Sequence, residues 1–255
     1  MNTKNQLTAQ AKMLWIERGS SDFPYYQGDP ILLNGKSWLI AIASTLLAFA
    51  ILLIPSINGY LGFLKSITFV VLPLVTLNWV SKGHWQAIFK PIKFKDILWM
   101  IFFGLLTLTL TVALGYLVSQ FFETAKNPII KMLAEKQTSE LVLLLISTLP
   151  QLVGEELITI FPFLAMMYLF VERLKWSRTQ ALLCSWLLSS LYFGALHLHT
   201  YDWNLAQCLI LIGTARLILT LAYLKTKNLL VCSGAHIIND WTIFFIALIA
   251  AKAAG

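Results

Sequence analysis

Seven stretches of the chain are apolar almost without interruption: 37–56, 59–80, 96–121, 140–171, 179–198, 204–224 and 229–251. Each holds roughly 20 residues or more, enough to cross a hydrocarbon core about 30 Å thick. The pattern predicts an all-α polytopic membrane protein of seven, at most eight, transmembrane helices. The fourth run would be about 48 Å long as one helix. It is therefore expected to tilt, break or project, with Pro150 and Pro162 as breaking points. Residues 1–36 are polar or mixed and are expected to form a cytoplasmic segment with no cleavable signal; 2–18 reads as a short amphipathic helix or an open tail. The rest, 37–251, is expected to be a single transmembrane domain. Trp38, Trp79, Trp99, Trp176 and Trp203 fall near the ends of runs, where interfacial anchors are expected.

Composition agrees with the pattern. The chain is 58% hydrophobic and 12% charged, with mean hydropathy +0.74, against about 45–50% and 25% in soluble domains. The net charge of +7 would suggest nucleic acid in a soluble protein. Here it reports orientation instead. With the N-terminus inside, 13 Lys and Arg fall on the inner side. The outer side holds four: Lys126, Lys131, Lys136 and Lys252. That asymmetry predicts a cytoplasmic N-terminus, membrane lipids as surroundings and no nucleic-acid partner. Cys184, Cys208 and Cys232 lie inside apolar runs without metal spacing, and their odd number argues against a disulfide framework.

The ionisable groups inside the spans carry the candidate chemistry. Glu155 and Glu156 stand side by side in LPQLVGEELITIFPF, where a buried charge costs about 2.5–3.5 kcal/mol to insert. His197 closes the fifth run, Arg216 lies in the sixth, and His236, Asn239 and Asp240 lie in the seventh. One such residue is as easily polar packing as a site. So many on four consecutive runs point to a site. His236 and Asp240 are i,i+4 and share a helix face with Asn239; Phe193 and His197 repeat that spacing. His199 points elsewhere and is expected at the interface. The two glutamates are about 100° apart on a helix, so they cannot aim at one atom without distortion. His236 and His197 are expected about 12 Å and 27 Å from the inner boundary. Bringing them together requires a tilted helix or an inward dip of 199–204.

GEELITI, FGALH and HIIND resemble the three motifs of the CPBP family, the CAAX-processing and bacteriocin-processing intramembrane endopeptidases. The resemblance covers about 140–245 and selects Glu155, Glu156, Phe193, His197, His236 and Asp240. One position departs: the family's arginine would fall at Ile160. The carboxylates are then short of a cation, and Arg216, the only arginine inside a predicted span, is the expected replacement.

The resemblance implies peptide-bond hydrolysis at or in the membrane. On this reading Glu155 is the general base, with Glu156 orienting it or sharing its proton. His197 and His236 hold the water or the oxyanion, Asp240 fixes the tautomer of His236, and Asn239 is a further oxyanion donor. No cofactor is implied; the alternative is zinc at Glu155, His197 and His236, although HExxH is absent. The partner is a peptide or lipidated-protein substrate, in a multi-pass protein of a bacterial plasma membrane. Two other classes stay open: a transporter with a glutamate-lined path, and a non-catalytic relative, either a bacteriocin immunity protein or a regulator that binds a membrane sensor kinase.

Overall fold

The computed structural model describes residues 13–17, 21–125, 127–135 and 138–254. It is all-helical, 76% helix, with no strand among the described residues. Eight α-helices follow in order: α1 Gly35–Leu53, α2 Gly59–Val80, α3 Phe94–Ser119, α4 Pro128–Glu135, α5 Thr138–Tyr168, α6 Arg178–Leu196, α7 Gly213–Thr226 and α8 Leu229–Ala254. Seven are long and apolar enough to cross a membrane, α7 together with the π-helical stretch Ala206–Ile212 that leads into it. The protein is a multi-pass membrane protein. The eighth helix, α4, has only eight residues and cannot span.

α5 is the axis of the bundle, packing on α1, α2, α6 and α8, while α3 closes the far side against α7 and α8. From Glu156 to Leu164 every residue of α5 is buried. A helix apolar on all faces is stable only when enclosed in this way. Gly154 lets the ring of Phe69 lie against the α5 backbone, where a Cβ would collide with it. α2 is thereby seated directly behind the glutamates. Contrary to expectation, neither proline breaks α5, which runs through both and ends in a π-helical turn, Leu169–Arg173. Each proline removes one ladder bond, and the packing of four neighbouring helices holds the axis together around the loss.

One end of the bundle is closed by a strap, 21–34, that carries no periodic signal. Phe23, Tyr25, Tyr26 and Leu33 are all buried. Phe23 lies edge-on to Phe163 at 5.3 Å and stacks on Tyr223 at 5.9 Å. Trp38 is not an interfacial anchor: it is buried and packs on Tyr25 at 6.2 Å. The amphipathic helix expected over 2–18 falls mostly outside the described residues.

Arg178 fastens the strap. It donates to both oxygens of Glu17 (2.8 and 2.6 Å) and to Asp22 (2.7 and 2.9 Å). Lys227 approaches Glu17 to 3.1 Å. Burial is the largest single influence and raises the Glu17 and Asp22 carboxyls, but Arg178 together with the Leu14 N–H and Lys227 at Glu17, and with Tyr26 and the Phe23 N–H at Asp22, outweighs it and holds both below their ordinary values. Depressed carboxyls stabilise the fold above the unfolded-state values, and that stability is lost as pH falls through the folded ones. Arg178→Ala is expected to loosen the strap by about 3 kcal/mol, at the low end for a broken buried pair because Asp22 retains some hydration. Proteolysis within 21–34 should accelerate in this variant at neutral pH. In the wild type it should accelerate only below about pH 4. Equal cleavage of both proteins at pH 7 would contradict the fastening role.

Candidate active site

Four elements deliver the polar residues to one place: the middle of α5, the end of α6, α7 and the first half of α8. Glu156 and Arg216 form the buried centre, neither exposed at all. The guanidinium is bidentate on the carboxylate, Nη1 to Oε1 and Nη2 to Oε2, both 2.7 Å. Arg216 also donates from Nε to Thr220 Oγ1 at 3.3 Å and from Nη2 to Cys232 Sγ at 3.3 Å. Its guanidinium stands 5.1 Å from the centre of the Phe193 ring. The cation missing at Ile160, itself a buried core residue, is thus supplied from α7. Planar bidentate pairing with stacking on an aromatic face is chemistry that arginine alone provides.

His236 joins the two glutamates. Its Nδ1–H donates to Glu156 Oε1 at 2.7 Å. Its Nε2 faces Glu155 Oε2 at 3.8 Å and Asp240 Oδ1 at 3.7 Å. The glutamates do point apart, as helical geometry requires, and one imidazole spans the angle between them. The tautomer of His236 is set by Glu156, not by Asp240 as expected, because only Glu156 comes within hydrogen-bonding distance of the ring. Nor do the glutamates share a proton. Glu156 is committed to Arg216 and His236, while Glu155 Oε1 accepts from Gln151 Nε2 at 3.0 Å.

Phe193 gathers the remaining members. Its ring centre lies 4.6 Å from that of His197 and 6.4 Å from that of His236. His197 caps α6, with Nδ1 at 2.9 Å from the Phe193 carbonyl, and reaches neither glutamate through a hydrogen bond. α6 stops at Leu196, and the backbone of α7's π-helical lead-in comes up against Gly194 at the Cys208 carbonyl. His197 lies one helical turn after Phe193, and that spacing places the two rings together. Asn239 donates its amide to Asp240 Oδ1 at 2.8 Å, and its own Oδ1 is buried with no partner. His199 is exposed. Tyr201, just past α6, packs on His197 at 6.3 Å. Burial, then the Asp240 and Glu155 carboxylates, push its phenol above the ordinary value, so it remains a hydroxyl.

The zinc set does not assemble. Among the described residues no three His, Cys, Asp or Glu side chains form a group able to hold a metal ion.

Sequence reasoning missed Gln151 and the bond from Trp241 Nε1 to Thr148 Oγ1 at 2.9 Å. The i,i+4 spacing of Gln151 and Glu155 was the available signal. The Trp241 contact crosses between helices and leaves no local trace.

Residues 137–242 match the family model for Rce1-like proteins, described as type II CAAX prenyl endopeptidase Rce1-like. No curated protein and no solved structure matches the chain. The matched segment takes in α5 from its first residue and runs just past Asp240 in α8, so it contains every group in the cluster. The matched segment is similar to a protease family and consistent with the CPBP intramembrane endopeptidases.

Proposed function

We propose that this Rce1-like domain hydrolyses a peptide bond in a membrane-associated peptide or lipidated protein, using a water activated by Glu155. One observation carries the reading. His236 Nε2 faces two carboxylates at 3.8 and 3.7 Å, too long for direct bonds and suited to a bridging water. With Nδ1–H given to Glu156, Nε2 of the neutral ring is an acceptor. A water there donates one proton to Nε2 and the other to Glu155, leaving an oxygen lone pair for the carbonyl carbon. Glu155 takes the proton as attack proceeds and returns it to the leaving amine. The second amide N–H of Asn239 serves the oxyanion, with His197 beside it. Glu156 and Arg216 do not touch the reacting atoms; they fix the tautomer and position of His236.

The departure at Ile160 was the main argument for a non-catalytic relative, and it weakens once Arg216 supplies the charge. The excess of Lys and Arg on the inner side supports a cytoplasmic 1–36 segment, a single transmembrane domain over 37–251 and a plasma membrane of bacterial type.

Detergent-purified protein, given CAAX-ended peptides with and without a prenyl group, tests the reading. The wild type should cleave, and Glu155→Gln and His236→Gln should each lower kcat by about 10²–10⁴-fold. Undiminished cleavage by Glu155→Gln would remove the glutamate-activated water. Absence of cleavage by the wild type on both peptide sets and on a general peptide library would remove the peptidase.

A further inference from the structure

We infer that Gln151 is a positioning residue for Glu155, an inference that rests on the peptidase reading above. Glu155 differs from its neighbour in how it is held. Glu156 is gripped by a guanidinium and an imidazole, whereas the side chain of Glu155 is 12% exposed and, among the described residues, takes its hydrogen bond from Gln151 Nε2 alone. The last torsion of a glutamate is broad and nearly two-fold, so an unheld carboxylate rotates easily. Gln151, one turn earlier on the same face of α5, pins Oε1 with a hydrogen bond to an anionic acceptor, a stronger kind than a neutral pair. Oε2 is then left facing His236 Nε2. The amide itself sits in a braced position. α8 is latched to α5 on both sides of it, by Trp241 to Thr148 three residues before and by His236 to Glu156 five residues after. α5 and α8 therefore cannot slide past each other without breaking one latch, and the gap between Glu155 and His236 is held at a fixed width. Gln151 touches neither the water nor the substrate in this scheme and acts only through Glu155.

Gln151→Leu removes the donor, and Gln151→Met removes it at nearly constant length without adding a charge, so a packing defect in the first is separated from loss of the bond by the second. Both variants should lower kcat by about tenfold or more while KM stays within about twofold. In a Glu155→Gln background Gln151→Leu should cause no further loss, because a residue acting through another is silent once that one is gone. Wild-type kcat in both single variants would overturn the inference, as would a raised KM at constant kcat or a second tenfold loss in the Glu155→Gln background. If Glu155→Gln alone retains the wild-type rate, it is the glutamate-activated water that fails, and Gln151 with it.

Discussion

Arg216→Leu is expected to destabilise the detergent-solubilised protein by about 3–5 kcal/mol and to abolish cleavage, the broadest loss of any single truncation in the site. Both members of the pair are wholly buried, so Arg216→Leu leaves Glu156 with a charge that neither water nor another cation reaches. Only the His236 Nδ1–H would still face it, and that ring would be drawn from its place beside Glu155. The strength of the pair itself is not what sets this figure. Two well-packed apolar residues are often as stable as a buried ion pair, and the loss comes from orphaning one partner. Glu156→Gln should therefore be costly too, through an orphaned guanidinium, whereas Phe193→Leu removes the ring contacts to Arg216, His197 and His236 but orphans no charge, and should lose less. Thermal unfolding checks the ordering: the Arg216 variant should melt on the order of 10 °C lower. A variant melting with the wild type would show that the charge is tolerated alone and would undo the account of the centre.

The seven spans were legible because insertion depends on summed apolar character, which a run of 20 residues states without reference to its neighbours. The cluster was legible for a related reason. Glu155, His236 and Asp240 are conspicuous only against an apolar background, and a charge inside a span needs a partner that is also in a span, which left Lys65 and Arg216, with Arg216 expected to replace the arginine that the CPBP motif would place at 160. Pairing in space was not legible. Helical spacing separates Glu155 from Glu156 but does not say which of them receives the guanidinium. That depends on where α7 crosses α5, and the crossing depends on side chains far apart in sequence. The strap escaped for the same reason, since Glu17 and Asp22 look like ordinary polar residues until Arg178 is brought beside them. The prolines misled because a helix-breaking tendency is local, while the tertiary contacts that keep α5 continuous are not.

Ile160→Arg alone is expected to be at least as damaging as Arg216→Leu, and combining the two substitutions should recover a substantial part of both losses. Position 160 is i+4 from Glu156 on α5, so an arginine there lies on the same helix face as the carboxylate it would pair with. By itself it puts a second cation into a core with one carboxylate already bidentate to Arg216, and it overfills a site where Ile160 is packed without exposure. Removing Arg216 vacates both the charge and the volume. The doubly substituted protein then carries its cation at the position of the arginine in the CPBP motif that GEELITI resembles. Recovery will not be complete, because an arginine rooted on α5 gives up the bonds that Arg216 makes to Thr220 and Cys232 on its own side of the bundle. Melting temperature and cleavage rate measured on the two single variants and the double form a cycle that reads the coupling directly. A positive coupling of several kcal/mol would mean that the site requires a cation on Glu156 and is indifferent to the helix that brings it. Losses that simply add would mean that the α7 root matters as much as the charge. The link from Arg216 through Thr220 and Cys232 would then be part of what holds His236 in place.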